Sequence, residues 1–70
     1  MRLIWDIQGR CAIPLDHIAQ VRIFSREITA APEERFAAQI QSADYPDEWL
    51  VVCRGSSAAE VRKKIEEIMQ

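Results

Sequence analysis

The stretch "EWLVVCRGSSAAEVRKKIEEI" (Glu48–Ile68) decides the fold, because it sets a strand and a helix back to back with the punctuation between them. In its first part Trp49, Val51 and Cys53 alternate with Leu50 and Val52, the period-two pattern of a strand. Apolar residues on both sides predict a central strand, or one whose second face is also covered. Gly55 ends the run. Ser57 then stands where a helix N-cap is needed, and Glu60 follows three residues later, the spacing of a capping box. Ala58, Val61, Ile65, Ile68 and Met69 recur at helical spacing and form one apolar stripe. Arg62–Glu66 and Lys63–Glu67 are i,i+4 pairs for the solvated side. The pattern predicts a helix over 58–69 with Ser57 as its cap.

Upstream, period two dominates. In "RLIWDIQG" (2–9), Leu3, Trp5 and Ile7 point one way and Arg2, Ile4 and Asp6 the other. Gly9 marks a tight turn. "CAIPL" (11–15) alternates again, with Cys11, Ile13 and Leu15 on one side, which suggests a hairpin. Pro14 cannot donate to a ladder, so this strand lies at an edge or ends there. Asp16 fits a short turn in "LDHIAQ", after which "VRIFS" (21–25) resumes, Val21 and Ile23 against Arg22 and Phe24. "REITAAPEER" (26–35) reads as a loop with a turn of helix from Pro32. "RFAAQIQS" (35–42) alternates once more, and "ADYPDE" (43–48) is a turn cluster. The expected architecture is α+β: a four-stranded antiparallel meander with one C-terminal helix packed on one face.

Seventy residues hold a single small domain, 1–70. A chain this short buries only about 60% of its unfolded surface, so its stability margin is thin. Its hydrophobic share of 49% is that of a folded protein rather than a disordered one. A net charge of -2 gives no general attraction to nucleic acid or to an anionic membrane. No apolar run reaches the length of a membrane span, and Asp6 interrupts the apolar opening that a signal peptide would need. The expectation is a cytoplasmic protein with Cys11 and Cys53 reduced, a Cys11–Cys53 disulfide being the alternative.

The pattern "RLIWDIQGRCAIPLDHIAQVRI … WLVVCRGSSAAEVRKKIEEI" resembles a loose set of short bacterial and phage proteins. These share an N-terminal strand, an LDxI-like turn, a tryptophan-bearing strand and a helix opened by a small N-cap residue. In topology it is similar to part of a pleckstrin-homology-like half barrel. The likeness spans most of the chain and carries no common activity, so it assigns no functional residue.

Chemistry-bearing residues are few. Cys11, Asp16 and His17 fall within one short stretch. Nucleophilic catalysis would need His17 to reach the Cys11 thiol and to be oriented by a third group, yet six extended residues span roughly 20 Å. Cys11 alternates with Ile13 and Leu15, which places it in the core, with His17 on an exposed turn. Cys11, His17 and Cys53 lack the paired spacing of a zinc site, so neither a metal nor a cofactor is expected. The pairs Glu33–Glu34 and Glu66–Glu67 and the group Asp44, Asp47 and Glu48 fall in loops or on a solvated helix face. Two glycines cannot build a phosphate loop.

One helix covers one sheet face. Ile4, Phe24, Ala37, Leu50 and Val52 are expected on the other, an apolar patch of the kind that marks an interface. The sequence therefore predicts a non-enzymatic interaction protein, a homodimer that binds a larger protein partner, with Ile4, Phe24, Leu50 and Val52 as candidate interface or, in their place, an exposed strand edge. The alternatives are a nucleic-acid-binding module using its surface arginines, and an accessory subunit of an enzyme with Cys11 and His17 as its chemical site.

Overall fold

In the computed structural model, residues 2–26 and 31–70 are described. The chain is α+β, with its strands divided between two antiparallel sheets. A short hairpin comes first, β1 (Leu3–Trp5) with β2 (Ala12–Pro14). A 3-10 turn over Leu15–His17 follows, then β3 (Ile18–Ser25), a second 3-10 turn over Pro32–Glu34, β4 (Phe36–Ser42), β5 (Trp49–Gly55) and the helix α1 (Ala58–Ile68). Strands β3, β4 and β5 form a meander with β4 in the centre. The expected loop over 26–35 shows the turn at Pro32; its residues 27–30 lie outside the described residues.

The expected single four-stranded meander is thus replaced by a two-stranded and a three-stranded sheet. The reason lies at Pro14 and the turn after it. Pro14 has no N–H to continue a ladder, and the turn at Leu15–His17 redirects the chain before β3 begins. The hairpin is held to the rest by a few bonds. Arg2 Nη2 donates to the Ile68 carbonyl at the end of the helix at 2.6 Å, and the Ile7 N–H donates to the Val51 carbonyl on β5 at 2.8 Å.

Hairpin and helix cover the same face of the meander. Ile4 and Ile13 from the hairpin and Val61 and Ile65 from α1 join Ala38, Ile40, Val52 and Cys53 in one core cluster. Burying a side chain such as Val61 or Ile65 stabilises by about 1.5–3 kcal/mol. The helix opens as its sequence predicts: the Glu60 N–H donates to Ser57 Oγ at 3.1 Å. The reciprocal arm is shifted by one residue, since the Glu60 carboxylate accepts from the Ser56 N–H at 2.8 Å and the Ser56 hydroxyl at 2.6 Å. These bonds, with Lys64 Nζ 3.4 Å away, hold the Glu60 carboxyl down at about 2. The i,i+4 pair that closes on the helix is Glu60–Lys64, with the acid towards the N-terminus, the better orientation. Gly55 sits where β5 meets this helix end: a Cβ there would stand 3.0 Å from Val61 Cγ2 and 3.1 Å from Glu60 Cδ.

Two register features correct the expected faces. On β5, Cys53 pairs with Ala38 while Val51 pairs with Gln39, so Val52 is an extra residue opposite one step of β4. A bulge of this kind lets neighbouring residues share a side. Val52 and Cys53 are both buried, and Trp49 and Val51 turn to the face opposite the core. On β1, the pairing of Ile4 with Ile13 fixes the phase. Ile4 is buried, and Leu3, Trp5 and Ile7 face outward, the reverse of the arrangement needed for Ile4 to serve as interface.

Candidate functional site

The hairpin owes its shape to one aspartate. The Asp6 N–H donates to the Cys11 carbonyl at 2.9 Å, and the Gly9 N–H donates to the Asp6 carbonyl at 3.0 Å. Asp6 Oδ1 accepts from the amides of Arg10 at 2.7 Å and Cys11 at 3.3 Å. Gly9 closes the turn at φ +70°, a left-handed position that glycine takes without steric cost. With this turn fixed, Leu3 lies opposite Pro14 and Trp5 opposite Ala12. The outward face of the hairpin is therefore apolar. Leu3, Trp5 and Ile7 keep 43%, 54% and 43% of their surfaces in solvent. Together they expose on the order of 300 Å², the size of the largest apolar patch on a typical monomer, which is often functional.

Beside the hairpin lies a cavity of about 320 Å³ lined by Cys11, Ile13, Ser42, Tyr45, Glu48 and Leu50, among others. The β4–β5 loop that frames it is closed by local bonds. The Ala43 N–H donates to the His17 carbonyl at 2.8 Å, the Asp44 N–H to Ser42 Oγ at 3.1 Å, and the Glu48 N–H to the Tyr45 carbonyl at 3.1 Å. His17 Nδ1 stands 2.8 Å from Asp44 Oδ2, with both side chains about half exposed.

The third surface is the sheet face turned away from the core. Here Arg22 Nε donates to Gln39 Oε1 at 2.7 Å, and its guanidinium carbon lies 3.9 Å from the centre of the Trp49 ring. A cation over an aromatic face is attracted by the ring quadrupole. Further along, Glu34 receives two cations, Arg26 and Arg54, each at 3.9 Å.

The sequence-derived candidates separate. Ile4 and Val52 belong to the core, and Leu50 packs against it. Phe24, half-buried, stays on the open face, paired with Ala37. These four residues do not share one surface. Cys11 is exposed rather than buried, because the turn ends at it and leaves its side chain at the mouth of the cavity. Cys53 is buried, and burial pushes its thiol up against the smaller opposing pull of Lys64. Among the described residues no hydrogen bond joins Cys11 to His17, which turns its Nδ1 to Asp44 instead. Among the same residues no three ligating side chains group as a metal site would require. No helix there is long and apolar enough to cross a membrane.

The Leu3, Trp5 and Ile7 row was visible in the alternation of "RLIWDI", but only the pairing partner decides which phase faces out. The His17–Asp44 pair, 27 residues apart, has no local sequence signal. Comparisons with protein-family models, with curated proteins and with solved structures find no match for this chain.

Proposed function

We propose that this chain is a small non-enzymatic interaction protein that binds a larger protein through the outward face of its β1–β2 hairpin. The observation that carries this reading is the exposure of Leu3 and Trp5 on one side of β1, with Ile7 exposed in the turn just beyond, on a chain with so little apolar core to spare. Tryptophan is the residue type most often found at the energetic centre of an interface. The partner would offer an apolar groove able to take the Trp5 ring, with Leu3 and Ile7 at its sides.

The fate of the arginines supports a protein partner over nucleic acid. Arg2 Nη2 donates to the Ile68 carbonyl, Arg22 is drawn over Trp49, and Arg26 and Arg54 share Glu34. That leaves Arg10, Arg35 and Arg62 of the seven arginines, on separate elements, to meet phosphate. An enzymatic role at Cys11 and His17 lacks the contact between nucleophile and base that such chemistry needs.

The test begins with co-purification on immobilised chain, followed by calorimetry with the purified partner. Trp5→Glu should weaken binding roughly thirty-fold or more, while added salt changes it little. Equal affinity for wild type and Trp5→Glu, or a steep fall with salt, would refute the reading.

A further inference from the structure

We propose that the free edge of β3 pairs, antiparallel, with the same edge of a second copy, with Ile23 on the two-fold axis. Strand order places β3 at one side of the meander, and among the described residues no hydrogen bond closes its outer edge. The opposite edge, β5, is met by the Ile7 N–H. β3 is also the longest strand, Ile18–Ser25.

Edge strands are normally guarded by charge, proline or bulges. β3 has no proline, and Arg22 is its one charge. That charge is folded inward across β4 to Gln39 and Trp49, so it does not guard the edge. The bulge at Ala19, where pairing steps from Ile18 to Gln20, interrupts only the N-terminal end.

The outward groups can be assigned. The Arg26 N–H donates inward to the Arg35 carbonyl at 2.5 Å. In an antiparallel pair, inward and outward residues alternate. Phe24, Arg22 and Gln20 therefore bond to β4, and Val21, Ile23 and Ser25 present their N–H and C=O groups outward. Four two-fold registers are then open, of which one centred on Phe24 leaves Val21 without a partner among the described residues. One centred on Val21 runs into the bulge at Ala19. One centred on Arg22 sets Ser25 opposite the bulge at Ala19, so that only Val21 and Ile23 are paired regularly. One centred on Ile23 pairs Val21 with Ser25 of the second copy and Arg22 with its Phe24, and it satisfies every outward group of the three residues on both copies.

The exposure of Val21 fits the same register. It stays 40% exposed although its neighbour on β4, Ile40, is fully buried. A second strand laid along the edge would cover it. Such a contact is isologous, the same patch on both subunits, and an edge contact is small enough to be reversible. It leaves both hairpin faces free, so it stands apart from the proposed partner surface.

The experiment is mass measurement by light scattering and sedimentation, from low to several hundred micromolar chain. Wild type should move from monomer to dimer mass. Val21→Lys and Ser25→Pro should keep the circular dichroism of the wild type and raise the dimer dissociation constant at least ten-fold, while Trp5→Glu leaves it unchanged. In a Cys11→Ser background, chains carrying Arg22→Cys should oxidise with chains carrying Phe24→Cys, and more slowly with themselves. A wild type that stays monomeric throughout overturns the proposal. So does a Val21→Lys chain that dimerises as tightly as wild type, or faster self-coupling of Arg22→Cys.

Discussion

A lysine at position 4 and a lysine at position 3 should have opposite fates. Ile4 keeps 3% of its surface in solvent and sits in the core cluster, whereas Leu3, next to it on β1, keeps 43%. Ile4→Lys forfeits about 1.5–3 kcal/mol of burial and places an ammonium where no partner waits, at a further cost of several kcal/mol. A chain of this length has roughly 3–10 kcal/mol of stability in total, so Ile4→Lys should be unfolded or close to it. Leu3→Lys loses only part of a half-buried side chain, and the lysine stem can lie over the same surface, so its cost should stay near 1 kcal/mol. At about 4–8 °C per kcal/mol for a domain of this size, that is a modest drop in melting temperature. Circular dichroism melts and urea titrations of the two variants measure the contrast. The expectation from alternation alone is the reverse, with Leu3, Trp5 and Ile7 on one face and Ile4 available as interface. Folded Ile4→Lys beside unfolded Leu3→Lys would refute the hairpin phase and, with it, the proposed binding surface.

The two cysteines should differ in reactivity: iodoacetamide should alkylate the exposed Cys11 in the native chain and reach buried Cys53, whose thiol is pushed up, only on unfolding. Equal rates by mass spectrometry would show that the turn does not expose Cys11. The Glu60 carboxyl, held at about 2 by Ser56 and Lys64 against an ordinary 4.5, should contribute to stability above pH 4.5 and lose that contribution as the pH falls towards 2. Melting temperatures of wild type and Glu60→Gln should therefore converge on acidification, and parallel curves would show that the carboxylate does not anchor the helix start.

The helix was legible because three independent signals agree on it: Ser57 as cap, Glu60 at capping-box distance, and a stripe with one apolar face. The strands were legible as strands, but two of their phases were not. In "WLVVC" every position is apolar, so alternation cannot show that the bulge at Val52 brings Cys53 and Val52 to the same side. In "LIWDI" the wholly apolar phase is Leu3, Trp5 and Ile7 against Ile4 and Asp6, so alternation favours the wrong side, and the choice rests on Ile4 meeting Ile13 across the turn. Division of the sheet followed from Pro14, whose missing donor marks an edge or an end of the strand in the sequence, and from the turn at Leu15–His17, which decides between them. The candidate site suffered most, since it depended on those phases: Ile4, Leu50 and Val52 moved inward, and the row beside Ile4 took their place. Position 17 could be seen to be exposed, but its partner Asp44 depends on the path of β3 and β4 together.

The two tryptophans stand in different optical surroundings. Trp5 is open to water on the hairpin, and Trp49 lies under a guanidinium on the three-stranded sheet. Each half of the molecule therefore carries its own fluorophore. With Trp49→Phe the emission reports the hairpin alone, and with Trp5→Phe it reports the sheet. The bond from the Ile7 amide to Val51 ties the two halves, and comparing the two emission records during denaturation tells whether that tie makes them unfold as one unit or lets the hairpin lift off first.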